Sequence, residues 1–166
     1  SDISRITIVN EVTPDKLNVT AGNEVKSFFV VHVLLKKKDF NDKNIITISK
    51  LIPRNMLLVL EFDGLFKMAT YHTKLMQTEW KKLDELTIKI EGLNLDKIWE
   101  NIIIQIGNVE VSEGNTLDEQ IVIDEKKQKL FKEIELLEMK ARAERQSKKK
   151  FELVQKIRKL RNRLGE

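Results

Sequence analysis

The chain has 166 residues, of which 41% are hydrophobic and 34% charged, with a net charge of +4; this suits one domain with a real core and a heavily charged surface, and excludes a disordered chain. The absence of cysteine excludes disulfides, thiolate metal sites and cysteine nucleophiles, and fits a reducing cytoplasm. No signal peptide is visible, and the most apolar runs, residues 28–35 and 56–60, are too short to span a bilayer, so a cytoplasmic protein with no membrane contact is expected.

Near the start, Ile6-Thr7-Ile8 reads as extended and Thr13-Pro14-Asp15 as a turn. Ala21-Gly22-Asn23 is a second turn, and the following segment ends in SFFVVHVLL, apolar on both faces. That pattern predicts a strand buried on both sides in the middle of a sheet, with Lys36, Lys37 and Lys38 marking its exit. Residues 41–51 carry Ile45, Ile46, Ile48 and Leu51 behind Asp42 and predict a short helix ended by Pro53. Residues 56–62 and 65–71 predict two strands joined by an Asp63-Gly64 hairpin turn. Trp80 lies in a polar connection, residues 86–90 alternate as a further strand, and residues 95–106 predict a helix stopped at Gly107. Residues 108–116 form the loop into the next element, with Thr116 as N-cap and Glu119 completing a capping box. This order predicts an α+β fold, a mostly antiparallel sheet with helices on one face and a long C-terminal helix. The expected domains are an α+β body over residues 1–116 and an interaction arm over residues 117–166.

The arm dominates the organisation. Residues 117–164 contain no Gly or Pro and are rich in good helix formers. Two apolar seams step by four, three, four: Leu130, Ile134, Leu137 and Ala141, then Leu153, Ile157, Leu160 and Leu164. Such spacing also suits a coiled coil. The seams start twenty-three residues apart, which places them about 140° apart around a straight helix. Either the halves meet different surfaces or the helix bends near residues 146–149; the absence of breakers favours one helix with two faces. On that reading the first seam packs on the body, and the second is left for another chain.

Charge divides along the same line. Residues 117–138 hold four Lys and seven Asp or Glu, a net −3, whereas residues 139–164 hold eleven Lys or Arg and two Glu, a net +9. Residues 1–116 are left with −1. The helix dipole favours base near a C-terminus, but only over the last turn. A polyanion or an acidic partner surface explains the excess better, with a solvated helix face as the competing reading.

The succession VNEVTPDKLNVT, EVKSFFVVHVLLKK, LIPRNMLLVLEFDG, KMATYHTK with TEW, LNLDKIWENIIIQI and LEMKARAERQSKKKFEL resembles an uncharacterised bacterial domain-of-unknown-function family. The resemblance covers nearly all of the chain. It implies a small companion protein encoded near DNA methyltransferase and helicase genes of restriction-like phage-defence systems. The family has a further N-terminal segment before the first strand, which is not expected here, and it offers no catalytic residues to carry over.

Catalytic groupings are scarce. His32 sits within an apolar run and reads as a satisfied core or facial histidine, while His72, beside Tyr71 and Lys74, could serve as a general base, but the sequence spacing around it marks out no acid–base pair. Two histidines without cysteine do not make a zinc site. Glu61 and Asp63, with Lys67 nearby, would share one face if the strand stayed extended, as a metal-dependent nuclease requires. Asp-Gly is also ordinary hairpin-turn chemistry, which is the favoured reading. Trp99, at helical spacing with Ile98 and Ile102, reads as core. The expectation is therefore a non-enzymatic adaptor subunit needing no cofactor or catalytic metal. It would dock a larger helicase- or methyltransferase-class partner, or itself, through Leu153, Ile157, Leu160 and Leu164. Arg142, Arg145, Lys148, Lys149 and Lys150 would meet a nucleic-acid backbone. The alternatives are a metal-dependent nuclease subunit using Glu61 and Asp63, and a homodimer held by antiparallel tails.

Overall fold

A computed structural model describes residues 2–165. The chain divides into two units, Ser1–Glu110 and Val111–Glu166.

The first unit is built on a five-stranded sheet in the order β1-β2-β3-β4-β5. Its strands are β1 (Ile3–Val12), β2 (Phe28–Leu35), β3 (Asn55–Phe62), β4 (Leu65–His72) and β5 (Lys74–Gln77). Three neighbouring pairs are antiparallel and β2–β3 is parallel. A parallel pair needs a crossover, and α2 (Asp42–Leu51) supplies it, capped by the Asn41 side chain on the Lys43 N–H. A single helical turn, α1 (Pro14–Leu17), interrupts the long return from β1 to β2. The last helix of the unit, α3 (Leu95–Gly107), is capped by Asn94 and ends on Asn108 in the left-handed conformation. The α+β class and the mostly antiparallel sheet are as the sequence predicts.

β2 is an interior strand, and alternation along it assigns the faces. Val31, Val33 and Leu35 join Leu58, Leu60 and Ala69 in the core with Ile45 and Ile48 of α2. Phe28, on the opposite face, packs its ring 5.0 Å from that of Trp99 on α3. The two helices thus cover opposite faces rather than one, because a β-α-β crossover takes one face and α3 is left the other. Residues 86–90 are not a strand: that segment lies beside α3, where the Gln105 amide bonds the Lys89 backbone N–H and carbonyl at 2.8 and 2.9 Å. The sheet closes instead with β5, a four-residue strand that begins directly after a left-handed Thr73.

Asp96, in the first turn of α3, ties the segment before β2 to that helix. Its carboxylate accepts backbone N–H bonds from Asn23 and Val25, both at 2.7 Å, and from Glu24 at 3.2 Å. Gly22 is needed there because a Cβ would stand 2.0 Å from Asp96 Oδ1.

The second unit is a helical hairpin. α4 (Leu117–Ala143) starts at a capping box formed by Thr116 and Glu119. Gln120 fixes the preceding loop, accepting from the Ser112 N–H and the Asn115 side-chain amide. The expected uninterrupted helix is not observed. Glu144 leaves the helical conformation, its carboxylate accepts the Gln146 N–H at 2.9 Å, and α5 (Ser147–Leu164) starts afresh. α5 packs back on α4. Ile134, Ala141 and Leu160 are buried, while Leu130, Leu137, Leu153, Ile157 and Leu164 are half-buried. Arg161 reaches Glu138 across the pair. The 140° phase difference that forbids both seams from one flat partner is resolved by breaking the helix and turning the seams toward each other.

Two outcomes follow. Backbone N–H donors, those of Val25 foremost, hold the Asp96 carboxyl below the ordinary carboxylate range. Its contribution to stability is complete above the unfolded-state value and is lost as pH falls through the lower folded value. The melting-temperature gap between the wild type and Asp96→Asn should therefore narrow as pH is taken from neutral into the acid range. In the hairpin, Leu160→Ala should cost about 2 kcal/mol or more in urea unfolding, whereas Leu136→Ala, at an exposed position, should stay within about 0.5 kcal/mol.

Candidate nucleic-acid interface

The three-residue turn between α4 and α5 places the basic segment at the tip of the hairpin. Arg142 lies in the last turn of α4, Arg145 in the connection, and Lys148, Lys149 and Lys150 in the first turns of α5. All five are exposed, and their side chains form no ion pair among the described residues. Three lysines in the first turn of a helix oppose its dipole, and no acidic residue sits in that turn to relieve them. The arrangement gives up helix stability while presenting cations to solvent.

An open groove of about 510 Å³ runs beside this tip, lined by Ala143 and Leu153 together with Lys140, Lys149, Lys156, Glu144 and Glu152. Lys140 and Lys156 thus join the basic set. They were missed in the sequence because they lie outside the RAERQSKKK run and come close only when the helix folds back.

Of the four α5 seam residues, Leu160 is buried and Leu153, Ile157 and Leu164 are half-buried beside α4. The more exposed apolar residues of the hairpin are Val122, Phe131, Leu136, Met139, Phe151 and Val154. On α4, Leu136, Met139 and Ala143 step by three and four, a weaker stripe masked in the sequence by the stronger seam on the other side.

The carboxylates considered for metal chemistry do not converge. Glu61 Oε2 lies 2.6 Å from His32 Nε2, a contact between the adjacent parallel strands β3 and β2, with both side chains about one-quarter exposed. β3 ends at Phe62, and Asp63 and Gly64 have φ of +48° and +73°, the paired positive values of a two-residue hairpin turn. The extended geometry needed to put Glu61 and Asp63 on one face therefore stops between them. Lys67 is turned to the other side of the sheet, its ammonium 5.2 Å from the Trp80 ring centre and 5.8 Å from that of Phe40. Burial is the main cause that draws its pKa below the ordinary lysine value. Among the described residues no three His, Cys, Asp or Glu side chains are grouped to hold a metal ion. His32 is a facial histidine with a carboxylate partner, as its place in the strand predicts.

No helix among the described residues is long and apolar enough to cross a membrane. No curated protein and no solved structure matches the chain. A family model described as "Domain of unknown function (DUF4391)" matches residues 1–164. With this match spanning nearly its whole length, the chain belongs to the DUF4391 family.

Proposed function

We propose that the protein is a non-enzymatic adaptor subunit whose helical hairpin binds a nucleic-acid backbone at its tip. The supporting observation is the cluster of Arg142, Arg145, Lys148, Lys149 and Lys150, all exposed and without ion pairs among the described residues. Clustered cations without carboxylate partners are the footprint of phosphate binding, and they carry no sequence code of their own. Lys140 and Lys156 extend the footprint along the groove. Aromatic stacking groups are few near the tip, Phe151 excepted, so the contact is with phosphates rather than bases.

The adaptor role rests on the second property of the same hairpin. Leu136, Met139, Phe151 and Val154 are apolar and exposed, a distribution that suits docking on a larger protein subunit. Leu153, Ile157 and Leu164 of the seam are half-buried and keep part of their surface for the same use. The resemblance to companion proteins of methyltransferase- and helicase-containing defence systems supplies the class of assembly: a bacterial DNA-directed defence complex in the cytoplasm. The nuclease alternative loses its basis in the observed turn at Asp63 and the engagement of Glu61 with His32.

Fluorescence anisotropy with a labelled DNA duplex tests the reading. The full chain should bind at low salt with affinity falling steeply as salt rises. Replacing Lys148, Lys149 and Lys150 by Glu should weaken binding and flatten the plot of log affinity against log salt by about 2 to 3. No binding by the wild type at low salt, or an unchanged slope in the variant, would contradict the proposal.

A further inference from the structure

The outer edge of β1 is unlike the other edge of the sheet. β5 is four residues long, a length that discourages strand addition. β1 is ten residues long, and every residue from Ser4 to Glu11 is exposed. No strand among the described residues pairs with that outer edge. Ile6 is 45% exposed, Ile8 52% and Val9 62%, three large β-branched or aliphatic side chains on an edge that natural proteins usually guard with Lys or Pro. Lys16 does guard one end, its ammonium bonding Asn10 Oδ1 and the Glu11 carbonyl. That leaves the stretch from Arg5 to Val9 open.

An open strand edge presents alternating backbone N–H and C=O groups, so its natural occupant is another extended strand. We infer that β1 pairs antiparallel with β1 of a second copy, about a two-fold axis through Thr7, to form one continuous ten-stranded sheet. Against β2 the register of β1 is regular from Arg5 to Ile8, with Ile6 opposite Val33, Thr7 opposite His32 and Ile8 opposite Val31. Ile6 and Ile8 therefore share the face occupied by α2, and Arg5 and Thr7 share the other. A two-fold axis perpendicular to the sheet keeps the faces continuous. Centred on Thr7, it sets Ile6 of each copy opposite Ile8 of the other, so four exposed isoleucines cover one another on the α2 face.

Charge permits this pairing. β1 carries one Arg and one Glu, a net charge of zero, and residues 1–116 carry only −1. The strongly basic segment belongs to the other unit, not to β1. The shift in register between Ile8 and Asn10 is a bulge, which twists the strand beyond the paired stretch and limits pairing to one register.

Analytical ultracentrifugation of the full chain at about 50 µM should give a species of twice the 19.4 kDa chain mass. Ile6→Lys with Ile8→Lys should raise the dissociation constant about tenfold or more while the melting temperature is retained, since both side chains are already half in solvent. A second variant does not depend on those positions. The chain has no cysteine, so Thr7→Cys introduces a single thiol. Under mild oxidation it should cross-link the dimer, because directly opposed strand positions fall within disulfide reach. A wild-type monomer, or a dimer that the lysines leave intact, would overturn β1 pairing. A dimer that Thr7→Cys fails to cross-link would overturn the two-fold at Thr7.

Discussion

The break at Glu144 to Gln146 is the constraint on which the C-terminal unit depends. Ending α4 and restarting α5 gives up helical hydrogen bonds, each with a net contribution of about 1 kcal/mol. No Gly or Pro forces the break. Two physical terms favour it. Arg145 and Lys149 would be like charges at helical i,i+4 spacing in a continuous helix. More important, folding back removes Leu160, Ile134 and Ala141 from water together, and burial of one large aliphatic side chain contributes about 1.5 to 3 kcal/mol. The Glu144 carboxylate recovers one of the lost partners by accepting the Gln146 N–H. The Arg161–Glu138 pair adds little energy on an exposed surface but helps set the register of the two helices.

The same break organises the chemistry. A straight helix would distribute the basic residues around its circumference. In the hairpin they gather at the turn, and Lys140 is brought to the same groove as Lys149 and Lys156. The apolar seams are consumed largely by one another, so the apolar side chains left exposed belong to a weaker set that includes Leu136, Met139, Phe151 and Val154. The first unit contributes a different resource. Its sheet is closed on both faces near β3 and β4 and open at the β1 edge, which offers backbone hydrogen bonds rather than charge. The proposed phosphate contact and the proposed strand addition thus fall on separate parts of the chain.

Much of the body was legible because its signals are local. SFFVVHVLL announced an interior strand, Asp63-Gly64 a two-residue turn, and Thr116 with Glu119 a capping box, and each is present. The facing of α3 was not legible, since nothing in residues 95–106 says which side of the sheet its apolar stripe will meet. Residues 86–90 alternate like a strand, yet Gln105 satisfies the Lys89 backbone from a helix sixteen residues away. The seams and their phase were readable in the arm, but their mutual burial was not: phase shows that one flat surface cannot take both, and only tertiary contact decides what each one meets. Residues 142–150 are readable in the sequence as a charged run, while their gathering at a turn needed the fold.

The fold-back of α5 is tested most directly by a distance between two spin labels. Cysteines at Lys129 and Arg163, both exposed, can be labelled uniquely in a chain that has no other thiol. A continuous helix separates these positions by thirty-four residues, or about 50 Å at roughly 1.5 Å per residue. Helices packed as a hairpin lie about 8 to 10 Å apart axis to axis, which keeps the labels within about 25 Å of each other. A single short distance is the predicted result. A distribution centred near 50 Å would show an extended arm and would contradict the account of the hairpin and of the basic tip built on it.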